Sequence, residues 1–328
     1  MTPADTGTET PMPQEPTGTR PRGARTVPPR TAGLLTAALG AFCATVALLQ
    51  PAVAAPRLAL LPAPLHQTWT LTDPEAAYLD TAHWRTREDV PLVRRTETLG
   101  APVPGEPGLL VLAVTVTTES DRGPVDHHEH RLVVDRATGR TVDCCGADPA
   151  PGGALAGLWP PGSTGAELPL HDPDTGAAPE LRLDGTEQVA GLTVHRYTQH
   201  LPPTRVPGSL RDVPASALDA DGGGTVRAER WVEATRTYWV EPVSGQVVDL
   251  AEQRRETLRT PDGDHEALLL DADLRLETGQ AAAAAHHAGE RARLLTAVRG
   301  RLPLLLGALG AALVAAGTVL VRRAARTR

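Results

Sequence analysis

Two runs without a single charged residue, one toward each end of the chain, constrain this protein more than any other feature. Thr31 to Leu49 reads TAGLLTAALGAFCATVALL, and Leu302 to Val321 reads LPLLLGALGAALVAAGTVLV. At 1.5 Å per residue, about 20 apolar residues span a hydrocarbon core of roughly 30 Å. A buried core helix of that length would carry a polar face, and neither run has one. Each is therefore predicted to cross a membrane, the first segment extending to Ala55.

The flanking charges orient both segments. Arg20, Arg22, Arg25 and Arg30 precede the first run, and Arg322, Arg323, Arg326 and Arg328 follow the second. Basic residues gather on cytoplasmic flanks, so both termini are expected inside and residues 56 to 300 outside. Arg299 and Arg301 lie on the opposite side of the second run but are outnumbered. Ala52-Val53-Ala54 has the small-x-small form of a signal cleavage site. The apolar run exceeds the usual signal core of about 7–15 residues, however, and Pro56 crowds the site. An uncleaved anchor is favoured over a cleaved signal.

The formal net charge is −7, and eight of the 32 basic residues sit in the two ends just described. The intervening part is therefore more acidic than the total indicates, which argues against a nucleic-acid partner. Residues 1–30, rich in Pro, Thr and Gly, are expected to form a disordered cytoplasmic leader. Residues 31–55 form the first membrane segment and 56–278 an extracytoplasmic β domain. An Ala-rich juxtamembrane helix at 279–301 leads into the second membrane helix at 302–321, and 322–328 form a cytoplasmic tail.

The β assignment rests on short runs rich in Val, Thr, Tyr and Trp, bounded by Gly, Pro and Asp. The clearest are 109–117, 129–134, 193–199, 227–240 and 246–258. Two passages share the pattern V-[DE]-x-x-[ST]-G-x-x-V-D: Val134 to Asp143 and Val240 to Asp249. Each reads as a strand, a turn through a Gly of positive φ, and a returning strand. Antiparallel meanders follow, with a curled sheet or half-barrel as the expected architecture.

Candidate chemistry is sparse. Cys144-Cys145 is a vicinal pair in a compartment expected to be oxidising. Adjacent Cα atoms are about 3.8 Å apart, below the usual disulfide range, so a bridge needs a strained turn. Disulfide, two free thiols, and an intermolecular bond or metal all remain open. Asp126-His127-His128-Glu129-His130 would put His128 and His130 on one face of a strand, but the spacing fits no zinc motif. A solvated polar turn and strand start is the expected reading, and His286-His287 is read the same way. Gly162-Ser163-Thr164-Gly165 lacks the context of a nucleophile elbow. Asp219 to Gly224 is only a fragment of a calcium loop. No catalytic residue, metal site or cofactor is assigned, and an enzyme is not expected.

Several motifs together resemble a known family. They are Pro56-Arg57-Leu58 after the first apolar run, Asp143-Cys144-Cys145-Gly146-Ala147, Gly185-Thr186-Glu187, Pro202 to Ser209 (PPTRVPGS), and Trp239 to Gly245 (WVEPVSG) before the terminal apolar helix. Over about residues 31 to 323 the chain resembles an actinobacterial envelope family of unknown function that also carries the label PorA family porin. The resemblance implies an envelope location and supplies no catalytic residues. Glu187 to Tyr197, with the hairpin at Trp239 to Asp249, is also similar to periplasmic lipoprotein-carrier and sensor domains, whose half-barrels grip acyl chains.

The expected function is a membrane-anchored, non-enzymatic envelope protein whose β domain binds a lipid, glycan or protein partner. Trp231, Trp239, Tyr197 and Val194 are candidates to line an apolar groove. A pore and a signal sensor are the alternatives. Strands interrupted by Pro and two apolar helices suit a transmembrane barrel poorly.

Overall fold

The computed structural model describes residues 28–148, 152–162, 168–220 and 223–326. The Pro-rich leader up to residue 27, Ser163 to Gly165 and the Asp221-Gly222 step lie outside the described residues. The chain divides into two compact units. One joins the first apolar helix, up to Ala44, to the second, from Ala308, and the other is Thr45–Gly307.

In the first unit, α1 (Pro29–Leu49) and α4 (Leu302–Arg326) pair through glycines. A Cβ built on Gly40 would stand 2.7 Å from the Gly310 carbonyl oxygen, and one on Gly317 would stand 2.6 Å from that of Gly33. Gly33 opposite Gly317 and Gly40 opposite Gly310 give an antiparallel pair. Missing side chains let backbones approach closely, as is common where helices pack in lipid. Both helices belong to continuous helical runs, Arg30–Leu58 and Thr278–Arg326, long and apolar enough to cross a membrane. Each run loosens into a π-helical turn at Gln50–Ala54 and Ala297–Arg301. Pro56 and Pro303 explain the position, because a proline ring removes one N–H and displaces the carbonyl one turn back, here those of Ala52 and Arg299.

The second unit is built on one antiparallel sheet. Its strands are β1 (Leu65–Asp80), β2 (Arg85–Val103), β3 (Glu106–Ser120), β4 (Gly123–Asp135), β5 (Leu168–Pro169), β6 (Glu180–Val189), β7 (Leu192–Arg205), β8 (Arg211–Pro214), β9 (Thr225–Val240), β10 (Val247–Arg259) and β11 (Glu266–Leu276). The order is β4-β3-β2-β1-β11-β10-β9-β7-β6-β5, with β8 paired to β9. Two meanders are thus stitched together where β1 pairs with β11. The five strands anticipated from sequence lie within β3, β4, β7, β9 and β10, apart from Gln246, one residue before β10. Strands β1, β2 and β11 escape that reading because Pro74, Pro91 and Pro102 interrupt two of them and charged residues occupy many of their positions.

The sheet is curled. Six strand spacings of roughly 4.8 Å would put β4 about 29 Å from β9 in a flat sheet. Instead His128 on β4 lies 2.6 Å from Arg230 on β9. At one end single bridges link Val134 to Thr141, Arg140 to Leu155 and Leu155 to Leu170, carrying the loop after β4 across toward β5. The ladder itself is open, with β4 and β5 at its ends.

The outward face carries a polar band over β2 to β4, with Arg95, Glu97, Thr115, Thr117, His127, Glu129 and Arg131 pointing away from the interior, and exposed Val93 and Leu99 flank it on β2. Near β7 and β10 it is covered by α3 (Thr278–Thr296), whose Ala285 and Ala288 pack on Val194 and Val248. The Ala-rich helix anticipated as a stem therefore leans on the sheet. The backbone N–H of Thr70 on β1 donates to Gln280 Oε1 at 2.9 Å, which pins its start.

Candidate functional site

Alternation along the strands sends residues of even number inward on β4, β9 and β10, and many of them are charged. Glu252, Arg254 and Glu256 stand in a row on β10, Arg230 and Arg236 on β9, Arg94 on β2, and Asp126, His128 and His130 on β4. Asp172 and Asp174 complete the group from the loop between β5 and β6. Arg254 is fully buried and holds Asp174 at 2.5 Å and Glu252 at 3.0 Å, with Glu256 on its Nε. Arg236 reaches Asp172 at 2.7 Å and Glu252 at 3.2 Å. Arg230 reaches Glu256 at 2.6 Å and Asp126 at 3.1 Å. Arg94 donates to Thr118 Oγ1 at 3.0 Å.

Burial by itself would favour the neutral carboxyls, but the guanidiniums override it. Arg236, then Arg254 and Arg94, hold the Glu252 carboxyl at about 2. The hydrogen bond from His128 and the charge of Arg230 hold Asp126 at about 2. Arg254 keeps Asp174 well below the usual carboxylate range. Burial pushes the Tyr238 hydroxyl up to about 12. Burial, followed by the charge of Arg254, pulls the Arg94 guanidinium down. The carboxylates of this network are therefore ionised and occupied by guanidiniums near neutral pH.

His128 and His130 face this interior, their rings stacked at 6.1 Å between centroids, rather than forming the solvated turn anticipated from sequence. His127 alone points outward, beside Thr117 and Glu129. The bland reading failed because Asp126 and Asp174 supply buried partners, the second of them from a distant loop. Arg230 stands 2.6 Å from the His128 imidazole, so its charge opposes a metal cation there. On α3 the ligating atoms of His286, His287 and Glu290 lie within 4.8 Å of one another on an exposed face.

The loop that supplies Asp172 and Asp174 contains a third copy of the acidic turn. In Asp172-Pro173-Asp174-Thr175-Gly176 the Asp172 carboxylate accepts from the backbone N–H and hydroxyl of Thr175 at 2.8 and 2.6 Å. Asp135 does the same with Thr138, and Glu241 accepts from the backbone N–H groups of Val243 and Ser244. Asp-x-x-Thr-Gly was present to be matched, but no strand pattern flanks it. The turns at Asp135 and Glu241 also grip the segment at Leu158 to Pro160, between β4 and β5. A Cβ on Gly139 would meet the Leu158 carbonyl oxygen at 2.2 Å, and one on Gly245 would meet that of Trp159 at 2.3 Å.

Beside that grip is an open cleft of about 350 Å³. Leu61, Pro62, Pro64, Leu65 and Trp69 form one wall, Leu158, Trp159, Pro161 and Val247 another, and Ala284, His287 and Arg291 of α3 the rim. A second space of about 170 Å³ shares Gln67, Trp69, Gly157, Leu158 and Val247 with it and reaches the charged interior at Arg94, Asp174 and Glu252. A third cleft of about 470 Å³ lies between Val206 to Arg211 and Leu269-Leu270, with Asp126, His128 and Arg230 in its lining.

The four groove candidates do not come together, and none of them lines the apolar cleft. Tyr197 is buried inward against Trp159 and Val240. Val194 and Trp239 are on the opposite face under α3, where Trp239 Nε1 donates to Glu187 at 2.7 Å. Trp231 shares the parity of Trp239, eight residues away, and stacks under Arg259 at 5.0 Å. Strand alternation separates Tyr197 from the tryptophans, and the cleft takes its walls from segments outside any strand periodicity. Cys144 and Cys145 are paired as a disulfide across a Cα–Cα distance of 3.8 Å, in a turn where Ala147 N donates to the Cys144 carbonyl at 3.0 Å.

No curated protein matches the chain. The family model described as Porin PorA matches residues 32–319, which takes in both apolar helices and the whole sheet. The chain belongs to the PorA porin family.

Proposed function

We propose that this protein is a membrane-anchored binding module: two apolar helices hold it in the bilayer, both termini are cytoplasmic, and the extracytoplasmic β domain binds an envelope lipid without catalysing a reaction. The cleft beside the Leu158–Pro160 loop carries this reading. Its walls are apolar, its volume falls within the roughly 300–1,000 Å³ usual for small-ligand sites, and one wall and the rim are the segments that precede β1 and follow β11 in the chain. The spaces that reach the centre of the curl are lined by the ionic network, whose charges suit an apolar chain less well. The test is organic extraction and mass spectrometry of the full chain purified in a neutral detergent. Co-purifying lipid that disappears when Ala284→Trp fills the cleft supports the reading, and an equal lipid yield from both proteins refutes it.

Family membership favours a second reading, a pore. Against a barrel stands the polar outward face, since a strand wall in lipid needs an apolar belt. A pore would have to be assembled from α1 and α4 of several copies. Single-channel conductance in planar bilayers that is abolished by Gly40→Leu would favour this reading over binding.

A further inference from the structure

We infer that the cleft binds an acyl lipid with an anionic, phosphate-type headgroup, which Arg291 holds at the rim. The inference rests on the binding role proposed above and specifies its ligand.

Two observations carry it. First, among the described residues no Asp or Glu lines this cleft. The one described lining residue with a fixed charge is Arg291, which is half-buried and has no ion pair or hydrogen bond among the described residues. The interior arginines Arg230, Arg236 and Arg254 each meet two or more carboxylates, so a guanidinium without an ion pair among the described residues at the rim of an apolar cleft stands apart from them. Second, Arg299, two helical turns further on, donates to the Pro161 carbonyl at 3.5 Å and so brings a second guanidinium to the same lip. The cleft therefore offers a guanidinium for the phosphate and apolar walls for the chain.

The experiment uses the full chain in neutral detergent, exposed to equal amounts of phosphatidylglycerol and phosphatidylcholine, reisolated and analysed by mass spectrometry. Wild type should enrich phosphatidylglycerol about fivefold, the scale expected of one basic side chain near an anionic lipid. Arg291→Gln should bring the ratio close to that supplied. Arg293→Gln, exposed on the same helix and outside the cleft lining, should leave the enrichment intact. Ala284→Trp, and the milder Ala284→Leu in case the first fails to fold, should lower retention of both lipids. If Arg291→Gln keeps the enrichment while the Ala284 variants lose lipid, the headgroup inference is overturned and the binding role stands. If folded Ala284 variants retain lipid as wild type does, the binding role falls and the inference with it. Equal losses from Arg291→Gln and Arg293→Gln would assign selection to the helix as a whole and overturn the inference. Displacement of the lipid by inorganic phosphate would overturn it in favour of a free-phosphate site.

Discussion

Arg254 on β10 and Asp174 on the loop between β5 and β6 meet at 2.5 Å although 80 residues separate them in the chain. That contact, with Arg236 to Asp172 beside it, ties an irregular segment rich in Pro and Gly into the middle of a curled sheet. A loop has little apolar surface with which to secure itself. Buried ion pairs give it one geometry, because either partner alone would be an uncompensated charge in a low-dielectric interior.

Replacing Arg254 tests this directly. Arg254→Met leaves Asp174, Glu252 and Glu256 without their shared cation and should destabilise the β domain by about 3–5 kcal/mol. Arg255→Met, one residue on, removes an exposed pair with Asp271 and should cost at most about 1 kcal/mol. Chemical denaturation of the two variants measures the difference, and equal losses would contradict the assignment.

Acid should unfold the domain through the same carboxylates. Glu252 and Asp126 are held at about 2, below the roughly 4 of an unfolded chain. A depressed carboxyl contributes stability that is fully present above its unfolded value and is lost as pH falls through its folded one. Asp249, raised by burial, works the other way in the same range but is a single group. Melting temperature should therefore hold steady down to about pH 5 and fall steeply between about pH 4 and pH 2. A flat profile across that interval would show that the network does not contribute.

Gly139 and Gly176 share a positive φ, +68° and +72°, but differ in surroundings. Gly139→Ala drives a methyl into the Leu158 carbonyl and should cost well above the ~1 kcal/mol of backbone strain, with loss of the cleft wall. Gly176→Ala meets nothing within 4 Å and should cost only that ~1 kcal/mol. Thermal melts of both variants, with lipid retention as a second readout, check the contrast.

Cys144 and Cys145 should be oxidised in the purified protein. A non-reduced digest should show the peptide holding both residues two hydrogens lighter than its reduced form. Cys144→Ala with Cys145→Ala should leave lipid retention unchanged, since neither residue lines the cleft. Full labelling of two thiols in the native protein would contradict the oxidised state.

Both termini should face the cytoplasm. A reporter active only in the cytoplasm should work when fused after Arg328 and fail when inserted at the exposed β6–β7 turn at Gly191. Activity of a reporter specific to the outer compartment at the C-terminus would overturn the topology.

Local signals made part of the fold legible. The two apolar runs, the hairpin at Glu241 and the turn at Asp135 were marked by features within a few residues: absence of charge, alternation, and a Gly placed for positive φ; the strand expected to return after Gly139 is reduced to the single bridge between Val134 and Thr141. The paired glycines of α1 and α4 were visible as letters but acquire meaning only when Gly40 is set against Gly310. The candidate site was mostly illegible. Its walls, Leu61 to Trp69, Leu158 to Pro161 and α3, lie far apart in sequence and share no periodicity. The tryptophans that attracted attention, Trp231 and Trp239, lie on the wrong face of β9.

What the sequence determined by itself was therefore the set of local states: two membrane-type helices, an antiparallel β region between them and acidic turns that reverse the chain. These depend on hydropathy and backbone preference over a handful of residues. What only the tertiary structure decided was which charges are buried together and where apolar space is left over. Nothing in the local sequence marks Arg94, Arg230, Arg236 and Arg254 for burial. The curl of the sheet brings β4 opposite β9 and turns the four inward. The same long-range closure leaves Arg291 without a carboxylate at the rim of an apolar cleft, because burial and charge pairing depend on distances that no local stretch of chain encodes.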